Sequence, residues 1–332
     1  MIRPAIVIVT PALADANNGN WQTATRWARM LSPAYRVRLA GDWAGGDEAL
    51  MIALHARKSA AAAARWKAAR PGAPLLLVMT GTDLYRDITT DASAQACMAS
   101  ADRLVVLNEL GMHTLPVAHH PRARVLLQSC PLRRTLDNKT PRHLRAVMVG
   151  HLRDEKSPQT YFGAAERLRH RPDILLDHVG AALDPALGAQ AAALMASHPR
   201  YRWLGGLPHA QSRRRIQAAH VLVHPSRMEG GAHVVIEAIA SGTPVLASRI
   251  DGNLGLLGDD YAGTFEPDDA AGLACLLQRL VDEPDMLPML RRQCELRRPL
   301  FESARERAGL HGLVAGLLTD PEPKPTPSGD PS

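Results

Sequence analysis

Short apolar runs alternate with longer amphipathic stretches along most of the chain. Because strands are short and crossover helices are longer, this alternation predicts parallel sheets with helices between the strands. The predicted strands cover Ala5–Val9, Val37–Ala40, Leu50–Leu54, Leu75–Met79, Leu104–Leu107, Val125–Leu127, Val147–Val149, Ile174–Val179, Arg202–Leu204, Val221–His224 and Val245–Ser248. The predicted helices cover Trp21–Leu31, Ala56–Ala69, Pro158–Arg169, Ala186–Ala196, Gln211–Ala218, His233–Ser241 and Ala270–Asp282.

A polar, basic stretch, Arg133–Arg145, separates two series of these elements and is interpreted as an interdomain linker. The sequence therefore predicts an α/β protein of two doubly wound, Rossmann-like domains, residues 1–143 and 144–300, that face a central cleft. Ligands of such sheets bind at the carboxyl ends of the strands, so this cleft is the expected site. Residues 301–318 are expected to form a helix that packs back toward the N-terminal domain, and the proline-rich residues 319–332 are expected to be disordered.

The composition narrows the class of protein. The length of 332 residues fits two domains of roughly 150 residues each. Apolar residues make up 46% and charged residues 22%, which excludes a wholly disordered chain. No apolar run reaches the ~18 residues that span a bilayer, so no membrane contact is expected. The four cysteines lie far apart with no Cys-x-x-Cys pair, which argues against a zinc site and a disulfide framework and favours a cytoplasmic location.

The net charge of +6, from 39 basic and 33 acidic residues, raises the question of an anionic partner. Aromatic residues make up only 4% of the chain, too few to interleave cations with stacking platforms for a nucleic acid. No nucleic-acid partner is therefore expected. A small polyanionic substrate and plain solvated helix faces explain the charge equally well.

A basic loop follows the seventh predicted strand, beginning at Gly150 and ending at Ser157 and Pro158. Serine before proline is typical of a helix start, with serine as the cap and proline at the first helical position. Arg153 and Lys156 then lie just outside a helix N-terminus, where the helix dipole disfavours cations. A bound phosphate would offset them and would also meet the free amide groups. The alternative is that the two acidic residues between these cations offset them.

A glycine loop joins the predicted strand Val221–His224 to the predicted helix His233–Ser241. The helix is apolar on nearly every side, so Glu237 in its middle needs hydrogen-bond partners, and two ribose hydroxyls would satisfy both oxygens. Glycines let the backbone approach a ligand closely, and Glu229 lies at the entrance of the loop. The alternative is a surface Glu229 and a Glu237–His233 pair one turn apart.

These two segments resemble the donor domain of the family 4 glycosyltransferases of the GT-B fold, over most of residues 147–269. The motif is a glycine loop with Arg and Lys, followed about seventy residues later by Pro-Ser-x-x-Glu-Gly and Glu-Ala-x-Ala-x-Gly-x-Pro-Val. The resemblance implies that Arg153 and Lys156 hold the donor diphosphate. It places Glu229 against the donor sugar as the third catalytic residue and Glu237 on the ribose. The nucleotide-sugar-binding candidates are Gly19, Asn20, Gly150, Ser226, Gly230, Gly231, Ala232 and Glu237.

Two positions depart from the pattern of that family. His151 stands where relatives often carry Arg, and Thr80 to Asp87 follow the fourth predicted strand, where many relatives carry a sugar-contacting histidine. The loop Asn17–Asn20 falls where members place small residues near the donor phosphates.

Within the family, the chain resembles the selenosugar-forming enzymes of selenoneine biosynthesis from residue 5 to about residue 318. The segments that carry this resemblance are residues 19–24, 53–60, 80–85 and 229–235. It implies transfer of a sugar from UDP-N-acetylglucosamine or UDP-glucose to the selenium of selenophosphate. A selenium nucleophile is already anionic and polarizable and needs little help from a general base. The acceptor-side candidates are Thr80, Thr82, Arg57 and Lys58, the last two being solvated surface residues in the alternative interpretation.

The implied transfer is metal-independent, because fixed cations stabilise the charge that develops on the departing UDP. The sequence has no Asp-x-Asp triplet, the usual carboxylate clamp for a divalent ion. We expect no cofactor, no metal and no obligate protein partner.

Three other functions stay open at this point. An ordinary family 4 enzyme acting on a sugar or lipid hydroxyl would need a base for its acceptor, often beside a membrane-binding amphipathic helix. A non-enzymatic nucleotide-sugar sensor would not need both glutamates and both cations. A UDP-sugar epimerase would need additional acid and base residues.

Overall fold

The computed structural model describes residues 3–11 and 19–319, and within these ranges the chain forms twelve β-strands and thirteen α-helices. Asn17, Asn18 and the tail 320–332, which the sequence predicts to be disordered, lie outside the described residues. The strands are β1 (Ala5–Val9), β2 (Arg36–Ala40), β3 (Leu50–Leu54), β4 (Leu75–Met79), β5 (Arg103–Val106), β6 (Ala123–Val125), β7 (Leu144–Val149), β8 (Ile174–Val179), β9 (Tyr201–Trp203), β10 (Val221–His224), β11 (Val245–Ser248) and β12 (Thr264–Phe265).

The helices connect these strands in the order of the chain. They are α1 (Gly19–Leu31), α2 (Ala60–Ala69), α3 (Ile88–Thr90), α4 (Ala92–Ser100), α5 (Gly111–Thr114), α6 (Pro158–Arg167), α7 (Pro185–Ser197), α8 (His209–Ala218), α9 (His233–Ile239), α10 (Asp251–Leu257), α11 (Ala270–Asp282), α12 (Met286–Arg297) and α13 (Ser303–Thr319). No helix in this described part of the chain is both long enough and apolar enough to cross a membrane.

The first sheet is parallel throughout and has the strand order β2-β1-β3-β4-β5-β6 in the described residues. Alternate side chains of β1 enter two separate apolar clusters: Ile6 and Ile8 join one, and Val7 and Val9 join the other. Successive side chains of a strand point to opposite faces, so both faces of this sheet are covered. This double covering explains why its central strands are apolar without interruption.

The second sheet is also parallel and has the order β12-β11-β10-β7-β8-β9. The predicted α/β fold of two doubly wound sheets is thus confirmed. Each of the eleven predicted strands overlaps an observed one. The two-residue strand β12 and the helices α3, α4, α5, α10 and α12 were not predicted. A strand of two residues carries too little periodicity to be recognised.

The chain divides into two compact units that differ from the predicted division. Unit 1 comprises residues 1–107, 111–126 and 304–332, and unit 2 comprises residues 108–110 and 127–303. The boundary at residue 126 lies before the predicted one at residue 143, so the segment interpreted as a linker belongs to unit 2. Its last two residues already form the start of β7.

The basic residues of this segment explain why it joins unit 2. The amide of Arg133 donates to the carbonyl of Ala240 at 2.9 Å, and Lys139 Nζ donates to the carbonyl of Ala219 at 2.5 Å. These carbonyls end α9 and α8, and helix C-termini favour cations. Burial lowers the pKa of Lys139 to about 8, which fits a lysine that packs along a domain rather than crossing solvent.

Helix α13 belongs to unit 1 although nearly 180 residues of chain separate it from β6. Leu310, Val314 and Leu317 pack in the same apolar cluster as Ile6 and Trp27. Its Glu306 is buried and accepts hydrogen bonds from Trp27 Nε1 at 2.7 Å and Arg26 Nε at 2.9 Å. This carboxylate therefore ties the C-terminal helix to α1.

Substitution of Glu306 by Ala is expected to destabilise unit 1 by about 3 kcal/mol, because it removes the buried carboxylate that pairs with the half-buried Arg26 and accepts from the buried Trp27 indole. Urea denaturation followed by circular dichroism measures the loss. Glu302→Ala removes an exposed carboxylate nearby and should change stability by less than about 0.5 kcal/mol. Equal stability of the two variants would contradict the role given to Glu306.

Candidate functional site

The strand order of the second sheet reverses between β7 and β10. Strand β7 pairs with β8 on one side and with β10 on the other, so the loops that follow β7 and β10 leave in opposite directions. In open parallel sheets, ligands bind at such a switch point, beside the carboxyl ends of the strands. The two loops singled out in the sequence analysis, residues 150–157 and 225–232, both start here.

The loop after β7 is fixed by close backbone contacts with the loop after β8. The amide of Gly150 donates to the carbonyl of Val179 at 2.9 Å. A Cβ atom at Gly180 would lie 1.9 Å from the Gly150 carbonyl oxygen, so this position requires glycine. His151 Nδ1 accepts from the amide of Ala181 at 3.1 Å. Burial, followed by the nearby cations, lowers the pKa of His151, so the ring stays neutral and holds the loop together.

The two predicted cations of this loop have different surroundings. The side chain of Lys156 is 17% exposed, and its Nζ lies 2.5 Å from Glu229 Oε1. The side chain of Arg153 is 45% exposed, with its Nε 3.9 Å from Glu155 Oε2. Arg153 thus has an acidic residue of its own loop nearby, as the alternative interpretation expected. Lys156 is instead neutralised by Glu229, which belongs to the other loop.

Helix α6 begins at Pro158 with Ser157 at the cap position, as predicted, but the Ser157 side chain makes no capping hydrogen bond. The Ser157 hydroxyl donates to Asp268 Oδ1 at 2.6 Å and lies 2.8 Å from Thr160 Oγ1, instead of meeting an amide of the first turn. Its φ of 44° is left-handed, and the resulting tight turn carries Lys156 toward the second loop.

Glu229 is buried and lies at the centre of a small ionic cluster. Its Oε1 accepts from Lys156 and lies 3.0 Å from His224 Nε2. Burial alone would raise the pKa of Glu229, but the charge of Lys156 and the hydrogen bond from His224 hold it well below the ordinary value. The carboxylate is therefore ionised, and the alternative that placed Glu229 on the surface is wrong.

His224 was not selected from the sequence. It ends the apolar strand β10, is buried, and has Ser226 Oγ 3.3 Å from its Nε2. Burial lowers its pKa against the pull of Glu229, so a neutral ring positions the carboxylate. The signal available in the sequence was a polar residue at the end of an otherwise apolar strand.

The rest of the glycine loop is held by backbone contacts. The carbonyl of Gly230 accepts from Asn108 Nδ2 at 2.8 Å, and a Cβ atom at Gly252 would lie 1.9 Å from the carbonyl oxygen of Glu229. Ser226 and Ala232 are buried, and Gly231 is half-buried. The loop therefore has little room to move away from Lys156.

Glu237 is buried in α9, as the apolar character of this helix predicts. Its Oε1 lies 2.5 Å from His209 Nε2 and 3.3 Å from His233 Nδ1, with Arg213 Nε at 3.9 Å. Burial raises the pKa of Glu237, but the hydrogen bonds from His209 and His233 outweigh it and bring it to about 2. The Glu237–His233 pair of the alternative interpretation is present, joined by His209, which was not predicted. The two ring nitrogens and the carboxylate oxygen of these three residues all lie within 4.8 Å of one another.

The unit 1 candidates lie at the start of α1 and at the carboxyl ends of β3 and β4, which are neighbours in the first sheet. Gly19 and Asn20 begin α1. Near the two strand ends, Arg57 Nε donates to Asp87 Oδ2 at 2.9 Å, and Lys58 is exposed. Thr82 Oγ1 lies 3.0 Å from His55 Nε2. The structure thus brings the two loops of unit 1 together.

Asp83 organises these two loops and was not selected from the sequence. Fully buried, it accepts from the amides of Ala56 at 2.9 Å, Thr80 at 2.9 Å and Gly81 at 2.8 Å. His55 beside it is buried with a left-handed φ of 74°, and burial lowers the pKa of this ring. The amide of Thr80 is therefore occupied from within the protein.

Comparison with known proteins agrees with this geometry. Residues 137–300 match the family model described as glycosyl transferases group 1. The chain is 40% identical to D-inositol 3-phosphate glycosyltransferase of Streptomyces coelicolor over 75 residues, 22% of this chain and 16% of that protein. It is 31% identical to glycogen synthase of Mycobacterium tuberculosis over 147 residues, 42% of this chain and 34% of that protein. These matches span about a third or less of each relative's length.

Solved structures resemble the chain over nearly its whole length. Sucrose-phosphate synthase from Thermosynechococcus elongatus has a TM-score of 0.77 at 17% identity, covering 95% of this chain and 99% of that one. Anabaena Alr3699/HepE in complex with UDP and glucose has a TM-score of 0.72 at 13% identity, covering 96% and 100%. Residues 137–300 thus match the group 1 glycosyltransferases, and the two parallel six-stranded sheets of the described chain have the GT-B fold.

Proposed function

We propose that this protein transfers a sugar from a UDP-sugar, UDP-N-acetylglucosamine or UDP-glucose, to the selenium of selenophosphate. The observation that carries the donor half is the buried pair of Lys156 and Glu229 at the switch point of the second sheet. A half-buried ammonium at the carboxyl ends of parallel strands is suited to a diphosphate. A solved structure of the same fold, Anabaena Alr3699/HepE, is in complex with UDP-glucose, which supports a nucleotide-sugar donor.

The proposed chemistry is departure of UDP from the anomeric carbon through an oxocarbenium-like transition state. The bond from this carbon to the β-phosphate oxygen breaks and its electron pair stays on UDP, while a lone pair on selenium forms the new carbon–selenium bond. Lys156 and Arg153 stabilise the negative charge that develops on the β-phosphate, and do so more strongly in the transition state than in the ground state. Arg153, at 45% exposure, is free to turn toward the phosphate when the donor binds.

The two glutamates have different roles in this proposal. Glu229 is held ionised and oriented by His224, so that it neutralises Lys156 before the donor binds and then lies against the donor sugar. Glu237, ionised by its two histidines, accepts hydrogen bonds from the ribose hydroxyls. Gly150, Ser226, Gly230, Gly231 and Ala232 lie in the two loops that carry Lys156 and Glu229, and Gly19 and Asn20 are the further candidates for contact with the donor.

The acceptor half rests on the resemblance over residues 19–24, 53–60, 80–85 and 229–235. The hydroxyls of Thr80 and Thr82 and the cations of Arg57 and Lys58 are the proposed contacts for the phosphate of selenophosphate. The proposal needs no general base, because the selenium is already anionic. An acceptor hydroxyl would instead require a base to remove its proton.

Mass spectrometry of the products tests the acceptor assignment directly. The protein is incubated with each of the two UDP-sugars and with selenophosphate, thiophosphate or water. We expect UDP release together with a glycosyl–selenium product, and a slower or absent reaction with water. UDP release without a selenium-containing sugar would contradict the proposed acceptor and favour an ordinary hydroxyl acceptor of this family.

Lys156→Ala is expected to lower kcat by about 10²- to 10³-fold, since it removes one fixed donor to the departing phosphate. The KM for the UDP-sugar should rise far less, which initial-rate kinetics measure. Arg142→Ala, which removes an exposed cation of the same unit, should leave both constants unchanged. Thermal melting verifies that each variant is folded at the assay temperature. Equal losses in kcat and in donor affinity would mean that Lys156 binds the ground state uniformly.

Glu237→Gln is expected to weaken UDP binding by about 10- to 100-fold, because each hydrogen bond to a charged group is worth ~1.5–3 kcal/mol. Isothermal titration calorimetry measures it, with Glu266→Gln as the exposed control in the same unit. Wild-type protein should bind 2′-deoxy-UDP more weakly than UDP by a similar factor. The Glu237→Gln variant should bind UDP and 2′-deoxy-UDP with nearly equal affinity. Unchanged UDP affinity in Glu237→Gln would remove the ribose assignment.

A further inference from the structure

We propose that His209, His233 and Glu237 form a zinc-binding site in unit 2. The donor atoms His209 Nε2, His233 Nδ1 and Glu237 Oε1 all lie within 4.8 Å of one another. Two imidazoles and one carboxylate are a ligand set that Zn²⁺ accepts, with a fourth position left for water or a further ligand. The cysteine spacing argued against a zinc site, but this set contains no thiolate and its members are brought together only by the fold.

The orientation of His233 points to a cation beside Glu237. Its Nε2 lies 3.2 Å from the carbonyl oxygen of Ser129, which can only accept, so the ring proton belongs on Nε2. The hydrogen bond from His233 Nδ1 to Glu237 Oε1, at 3.3 Å, therefore requires a second ring proton, and without that proton Nδ1 presents a lone pair to the carboxylate. Two acceptors that face each other repel unless a proton or a metal ion lies between them. A ring nitrogen that donates to a backbone carbonyl is also the usual support of a metal-ligating histidine.

The spacing of the three ligands requires little rearrangement. Two bonds of about 2.0–2.1 Å at a tetrahedral angle separate the ligand atoms by about 3.3 Å. The distance from His233 Nδ1 to Glu237 Oε1 already has this value, since the two residues are one turn apart on α9. His209 Nε2 must retreat from its 2.5 Å contact, and its 43% exposed side chain at the start of α8 has room to do so.

Arg213 is the charge that opposes zinc at this position. Its Nε lies 3.9 Å from Glu237 Oε1, and its side chain is buried. A second cation therefore weakens the site, and three protein ligands leave it open. We accordingly assign exchangeable zinc, not a closed structural site, and give it no part in the transfer step.

Occupancy by zinc has a consequence that rests on the proposed function. If Glu237 holds the ribose of the donor, Zn²⁺ on the same Oε1 excludes the nucleotide. Zinc then inhibits by competing with UDP-sugar, and the donor protects the site from zinc.

The test begins with zinc alone, before any nucleotide is added. A Cys275→Ser background removes the exposed thiol, which binds zinc by itself. Competition with a chromogenic chelator should then give one Zn²⁺ per chain, and His209→Asn or His233→Asn should each weaken binding by at least about tenfold. His170→Asn, an exposed histidine of the same unit, is the matched control and should have no effect. Zinc binding that is absent, or equal in all these variants, would overturn the site.

A second measurement separates this inference from the proposed function. UDP is titrated calorimetrically into the Cys275→Ser protein with and without one equivalent of Zn²⁺, and the same pair of titrations in His209→Asn corrects for zinc bound by UDP itself. Zinc should lower UDP affinity more in the parent than in the variant. An equal effect in both would overturn the competition at Glu237, whereas the product analysis above judges the transfer reaction independently.

Discussion

The interaction on which the site depends is the ion pair between Lys156 and Glu229. Removing two charges from water is expensive, and their attraction offsets this cost only where the geometry is good and further hydrogen bonds are made. Here His224 supplies the additional contact to the carboxylate. In the proposed function, the donor diphosphate replaces Glu229 as the anionic partner of Lys156. This exchange contributes little net affinity for the donor, so the lysine acts mainly on the charge that grows as UDP departs.

The fold supplies this pair through backbone contacts more than through side chains. The loops after β7 and β10 follow adjacent strands. Each loop packs against a glycine of a neighbouring segment, so the two backbones come into direct contact. Gly180 lets the loop after β8 touch the carbonyl of Gly150, and Gly252 does the same for α10 and the carbonyl of Glu229. The position of each charged group is therefore fixed by the packing of main chain, which loses no rotamer freedom when a ligand arrives.

Periodicity and composition predicted most of the fold, because continuous apolar runs and amphipathic helices are local signals. The burial of Glu237 followed from the apolar helix around it in the same way. The features that could not be predicted depend on contacts between residues that are far apart in the sequence. The segment Arg133–Arg145 has the composition of a linker, yet the amide of Arg133 and the ammonium of Lys139 donate to the carbonyls that end two helices of unit 2. The roles of His224, His209 and Asp83 depend on partners on other elements. Ser157 stands at the predicted cap position, but its hydroxyl donates to Asp268, which follows β12, instead of capping the helix.

Unit 1 is assembled from the beginning of the chain and from α13 near residue 319, with all of unit 2 synthesised in between. During translation, all six strands of the unit 1 sheet are thus synthesised long before α13, whose Leu310 completes the core of this unit. The apolar face of the unit 1 sheet that α13 covers therefore stays exposed while unit 2 is synthesised. Unit 1 therefore reaches its native state only after α13 has been synthesised, and a chain truncated before α13 contains all of unit 2 but lacks part of the core of unit 1.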